Sequence, residues 1–301
     1  GFISGIVGQV ITFWVVQWYP KAGWSKESFR YLWGYGNKMM GSFLISTIYE
    51  NIAPVIIGKY FSPTQLGIYN RAQGYAQMPS QNVTGTLKSV TFPVLSKIQN
   101  DDERLARSYR KMLRVSAFIV FPLMMMLAAL ARPLILVFIT EKWEPCIILL
   151  QIMCLSMMWY PIHAINLNLL EVKGRSDLFF RLEILKRGVG ICVLCCSLPM
   201  GLEAFCWGGV VGSMFSLFIN TYYTGKLIHV GYIRQMRDLG HILLLSFLMY
   251  AVIWCVLQEV SNLWLQIFVG ALTGGLFYLG SSFLFKFSEL KEVMYLFSKK
   301  K

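Results

Sequence analysis

The sequence predicts an all-α polytopic membrane protein of about nine transmembrane helices, on three observations. Hydrophobic residues make up 56% of the chain and charged residues only 14%, whereas soluble domains carry about a quarter charged residues. Apolar stretches of about 20 residues, long enough to cross a hydrocarbon core, recur from end to end, and mean hydropathy is +0.54. The cations gather between alternate stretches instead of spreading evenly.

The stretches follow in order. The first, 1–19, opens at Gly1 already inside an apolar run. No charged n-region or cleavage site precedes it, which excludes a signal peptide; the expectation is the C-terminal part of a longer protein. Residues 20–37 read as a connector whose Phe29, Tyr31, Leu32 and Trp33 suit a membrane interface. The second span, 38–58, carries Ser42, Ser46 and Glu50 at four-residue steps, with Tyr49 and Asn51 beside the acid. Pro54 cannot donate to the carbonyl of residue 50, so a weakened helix is expected there. The third, 64–95, opens on Ser62-Pro63, a cap followed by a first-turn proline. Pro79 should kink it, with Gly74 and Gly85 adding flexibility.

A charged segment, 99–114, leads into the fourth span, 110–131, with Asp101 or Asp102 as its cap. The fifth, 145–170, carries His163 and Asn166 just after Pro161. The remaining spans are 182–200, 203–224, 241–258 and 263–285. The glycine pairs Gly1/Gly5, Gly208/Gly212 and Gly270/Gly274 have the spacing that lets helices approach. Seven cysteines lie in apolar segments. Cys192, Cys195 and Cys196 share a helix face, but no second His/Cys cluster completes a metal site, so all seven are expected to be packing residues.

Charge sets the orientation. The segments after the first, third, fifth and seventh spans, with the tail, hold 23 of the 28 Lys and Arg, Lys186 and Arg187 counted among them. The opposite loops hold only Lys59, Arg132 and Lys142, while Arg71 and Lys88 fall within the third span. The positive-inside rule then makes the basic loops and the C-terminus cytoplasmic. The net charge of +13 is thereby explained by membrane lipids and orientation, without nucleic acid. No Walker A lysine motif, His-Glu-x-x-His or nucleophile elbow is present, so no cofactor is expected, and the loops are too short for a catalytic domain.

The candidate site is a polar stripe. Asn70, Gln73, Gln77, Gln81, Thr84, Lys88 and Thr91 are spaced by three or four residues and stack on one helix face. Amides and an ammonium at membrane depth are costly unless they face a bundle interior or a wet cavity, so the stripe reads as the lining of a pathway. Arg71 stands about 100° away on an ideal helix. Glu50, an acid in mid-span, and His163 are the coupling candidates. If it is not on the pathway, Glu50 is expected to be buried and either paired with Lys88 or held neutral.

The segment Gly58–Ala72 (GKYFSPTQLGIYNRA), then Met78-Pro79, then Thr91–Gln99 (TFPVLSKIQ) resembles the bacterial polysaccharide flippases. These are the Wzx-like exporters of the multidrug/oligosaccharidyl-lipid/polysaccharide superfamily, and the motif region covers about forty residues. The resemblance implies a MATE-like fold of two six-helix bundles around a cavity. On that template residues 1–19 are the last helix of an N-terminal bundle and 20–37 the cytoplasmic linker. Residues 38–224 form the C-terminal bundle, and 225–301 two additional helices and a basic tail. The implied activity is translocation of a lipid-linked oligosaccharide across the bacterial inner membrane, with H+ or Na+ as coupling ion and a polymerase and glycosyltransferases as partners. The alternatives are a MATE-like exporter of small cations, a non-transporting scaffold for polysaccharide assembly, and an integral-membrane glycosyltransferase.

Overall fold

The computed structural model describes residues 2–16 and 23–298, and among them every regular element is helical. In chain order these are α1 (Phe2–Val16), α2 (Lys26–Tyr60), α3 (Pro63–Lys97), α4 (Asp102–Ala129), α5 (Ala131–Phe138), α6 (Cys146–Met157), α7 (Tyr160–Val172), α8 (Ser176–Ser197), α9 (Leu202–Ile228), α10 (Tyr232–Gln258), α11 (Leu263–Leu284) and α12 (Ser288–Ser298). Expectations placed on Gly1, on residues 17–22 and on residues 299–301 lie outside the described residues.

Among the described residues, six segments are long and apolar enough to cross a membrane: α2, α4, α6 with α7, α9, α10 and α11. The nine expected spans are therefore not all matched on that measure. The described α1 has 15 residues. Helices α3 and α8 are long enough but too polar, and they carry the two polar clusters described below.

The chain divides into two compact units, Gly1–Asn37 and Lys38–Lys301. In the first, the connector is helical from Lys26 onward. Its aromatics stack along the helix, with Phe29 ring centroids 4.9 Å from Trp24 and 5.8 Å from Trp33.

The second unit is built around α4. Asp101 caps it, accepting from the Arg104 N–H at 2.9 Å. Four consecutive residues, Val115 to Phe118, are buried, and burial on every face marks a helix enclosed by others. Helices α3, α6, α7, α9 and α10 pack on it, α10 along most of its length. The α4–α10 seam is pinned by a two-pronged Arg110–Asp238 pair, both bonds 2.6 Å long. Beyond the last span, α12 sets Glu289 against Arg114 (3.3 Å) and His241 (3.9 Å), and Glu292 against Lys111 (3.0 Å). Burial raises the Glu289 carboxyl, but the His241 ring, a backbone N–H and Arg114 outweigh it and hold the group below the usual carboxylate range.

Helices α2 and α3 are continuous through Pro54, Pro79 and Pro93. Two expectations need correction. The expected fifth span divides at Met158 and Trp159 into α6 and α7. Of the cysteines, only Cys146, Cys154 and Cys206 are buried, while Cys192, Cys195, Cys196 and Cys255 are exposed. A soft, weakly polar thiol is compatible with a lipid-facing surface, so helical spacing did not imply core packing. No group of His, Cys, Asp or Glu among the described residues is arranged to hold a metal.

Close helix approach is real at Gly270 and Gly274. A Cβ there would stand 2.6 Å from Leu130 and 2.7 Å from Ile253, respectively. Gly208 likewise faces Ser197, but Gly212 has open space. Gly274→Leu should separate α11 from α10 at a cost of about 1–3 kcal/mol, lowering the melting temperature in detergent. Gly275→Leu, one residue on where nothing crowds the position, should leave it unchanged.

Candidate functional site

Helix α3 has two unlike sides. Tyr69, Ala72, Ala76, Ser80 and Leu95 are buried against the bundle, the small residues allowing close approach. Ser62 caps the helix, accepting from the Gln65 N–H at 3.2 Å, and the Ser80 hydroxyl donates to the Met157 carbonyl at 2.7 Å. That bond fixes α3 to the α6–α7 interruption, where a carbonyl is free to accept. Thr84 turns inward and donates to the Ser80 carbonyl.

The predicted stripe runs along the border of this buried side. Asn70 and Gln81 are exposed, Gln73, Gln77 and Lys88 half-buried, Thr84 and Thr91 buried. The side-chain amides of Asn70, Gln73, Gln77 and Gln81 make no hydrogen bond among the described residues. They form a line of free donors and acceptors on an otherwise apolar chain.

Lys88 pairs with Glu171, not Glu50. Its Nζ lies 3.2 Å from Oε1 and 3.1 Å from Oε2. One turn along each helix, the Asn168 amide donates to the Thr91 hydroxyl at 3.3 Å. Arg71 is elsewhere, its guanidinium 5.5 Å from the Trp143 ring centroid. Seventeen residues of helix, about 25 Å, separate the two cations, so one headgroup cannot hold both.

Glu50 belongs to a second cluster. It is exposed and lies 3.6 Å from Arg187. Arg187 also bonds Glu183 at 3.2 Å and stacks 4.6 Å from the Tyr49 ring. Glu183 is buried, bonded to Lys186 and accepting from the Ser46 hydroxyl at 2.7 Å. Gly190 makes room for the Tyr49 ring, which a Cβ there would overlap. Lys186 and Arg187, read from sequence as loop cations, therefore stand within α8. The i, i+3, i+4 spacing of Glu183, Lys186 and Arg187 was the available signal.

His163 sits between α7 and α9. Its Nδ1 accepts from the Asn220 amide at 3.2 Å, which assigns the proton to Nε2, 3.0 Å from Ser213. Asn166 joins a buried network instead. It accepts from Thr224 at 2.7 Å and exchanges bonds with Gln235, which reaches Tyr109 at 3.2 Å. That network ties four helices together and has no open face.

The chain is similar to several known proteins. A family model described as polysaccharide biosynthesis protein matches residues 2–148. The teichuronic acid biosynthesis protein TuaB of Bacillus subtilis is 24% identical over 56% of this chain and 36% of its own length. The lipopolysaccharide biosynthesis protein WzxC of Escherichia coli is 26% identical over 50% of this chain and 31% of its own. The lipid II flippase MurJ, in an inward closed conformation, superposes with a TM-score of 0.71 at 18% identity, covering 88% of this chain and 57% of that one. By sequence the chain resembles polysaccharide biosynthesis proteins, and its fold is that of the lipid II flippase MurJ. It spans about a third of the length of those two curated relatives.

Glu183→Ala should strand Lys186 and Arg187 and destabilise the protein by roughly 3–5 kcal/mol, measurable by thermal unfolding in detergent. Replacing Glu183 and Lys186 together by Gln and Met should recover most of that loss.

Proposed function

We propose that the protein takes part in flipping an undecaprenyl-pyrophosphate-linked oligosaccharide from the cytoplasmic to the outer leaflet of the bacterial inner membrane, for lipopolysaccharide or exopolysaccharide synthesis. The observation that carries this reading is the line of unpartnered amides from Asn70 to Gln81, ending at Lys88. Sugar hydroxyls both donate and accept, as amides do. A pyrophosphate suits an ammonium in a low-dielectric site, where charge-assisted bonds are strongest. The names of the matched relatives and the MurJ-like fold support the same reading.

In this reading residues 38–224 are one bundle of a two-bundle transporter that works by alternating access. Residues 1–19 belong to the other bundle, and 225–301 are accessory helices and a cytoplasmic tail. Lys88 stands nearer the cytoplasmic end of α3 and receives the headgroup, while Arg71, near the outer end, acts at a later stage. Glu50 and His163 are the coupling groups, for H+ or Na+. Asn220 Oδ1 is buried without a partner, so a half-turn of its amide offers His163 a second acceptor, as a protonated ring requires. A polymerase and glycosyltransferases are the expected partners.

Lys88→Gln and Arg71→Gln, introduced together, should abolish surface polysaccharide while membrane insertion stays normal. Unchanged polysaccharide from the double variant would refute the cationic site. Resistance to small cationic drugs on expression would favour a MATE-like exporter instead.

A further inference from the structure

The Lys88–Glu171 pair is lopsided. The Lys88 side chain is 44% exposed and that of Glu171 only 14%. The carboxylate approaches from the protein side, with both oxygens within 3.2 Å of the ammonium. An ammonium has three N–H donors, and two carboxylate oxygens occupy at most two. The open side is sterically clear, because nothing lies within 4 Å of where a Cβ on Gly85 would stand. One turn before that lies Gln81, with its amide free.

Helix α7, which carries Glu171, is anchored independently of Lys88. Asn168 holds the same helix to Thr91. Lys173 ties the end of α7 to the Gln99 carbonyl (2.5 Å) and to Asp102 (2.7 Å). When Lys88 swings away, the α7 backbone therefore stays in place and the carboxylate remains within reach to recapture it.

We propose that Glu171 is a built-in competitor for the anionic headgroup: it occupies Lys88 in the empty protein and gives way to a lipid-borne pyrophosphate. The proposal rests on the flippase reading and adds a residue and a role to it. A bare ammonium at membrane depth is costly. One that met the headgroup with no rival would hold it too tightly for release, and passage requires binding strong enough to enter yet weak enough to leave. Exchange between two anions meets both demands: Lys88 is paired at both stages, and the cost of leaving the Glu171 carboxylate unpaired while the headgroup is bound weakens the hold and favours release.

The test uses the purified protein in nanodiscs, titrated with undecaprenyl pyrophosphate, with inorganic pyrophosphate and phosphatidylglycerol as separate arms. Glu171→Gln should bind undecaprenyl pyrophosphate about tenfold tighter than wild type and export less polysaccharide in cells. Lys88→Gln should bind it more weakly, and the double variant should match Lys88→Gln, since nothing is left to compete for. Glu171→Asp, whose shorter carboxylate draws back from Lys88, should tighten binding by an intermediate factor and stands in if the Gln variant does not fold. Inorganic pyrophosphate should compete with the lipid for the wild-type site. Lys88-dependent binding that Glu171→Gln and Glu171→Asp fail to tighten would overturn the competitor role alone. An equal gain for phosphatidylglycerol would overturn the assignment to pyrophosphate. Binding and export that ignore Lys88 altogether would overturn the underlying flippase reading.

Discussion

An ion without a partner is costly in hydrocarbon, and the second unit is organised around meeting that constraint. Lys88 has Glu171, Arg110 has Asp238, and Glu183 has both Lys186 and Arg187. Each pairing but the last joins two helices that are distant in sequence, and the last reaches α2 through Ser46 and Glu50. Against well-packed apolar residues such pairs add little net stability, but breaking one leaves a stranded charge at a cost of several kcal/mol. Their main effect is therefore on register. They dictate which helix faces which, where apolar packing alone is tolerant.

The same constraint explains why α3 has two sides. Its buried side is fixed by Ser80, Thr91 and the close approach at Ala72 and Ala76. Its polar hydroxyls are consumed there by carbonyls and by Asn168. Four amides on the border of that side have no such consumers. Most buried polar groups of the bundle find partners, Asn168 Oδ1 and Asn220 Oδ1 being among the exceptions, whereas these four amides lie exposed or half-buried at its border.

Much of this was legible from residue order. The apolar stretches fixed the helical class, and the three- and four-residue steps from Asn70 to Thr91 located the polar border of α3. Pairing was not legible. Glu171 stands in the run Glu-Val-Lys-Gly-Arg, which reads as a cytoplasmic loop, and only the packing of α7 on α3 brings it to Lys88. Lys186 and Arg187 followed the loop pattern of other cations, so counting charge hid a cluster that helical spacing around Glu183 would have exposed. At Pro54 the helix runs on although the Glu50 carbonyl loses its intrahelical donor. The four exposed cysteines show that helical spacing identifies a face without saying whether protein or lipid lies against it.

The two ionic joints differ in which member is open. Both are neutral overall: Lys88 with Glu171, and Glu50 and Glu183 with Lys186 and Arg187. At the α3–α7 joint the open member is the base, 44% exposed. At the α2–α8 joint it is an acid, Glu50, 70% exposed. An incoming anion can displace a partner only at the first, and an incoming cation only at the second. If the cargo carries a pyrophosphate and the driving ion is a cation, the two cannot compete for one site. On the proposed reading they act through different helix pairs, the anion at Lys88–Glu171 and the cation at Glu50–Arg187.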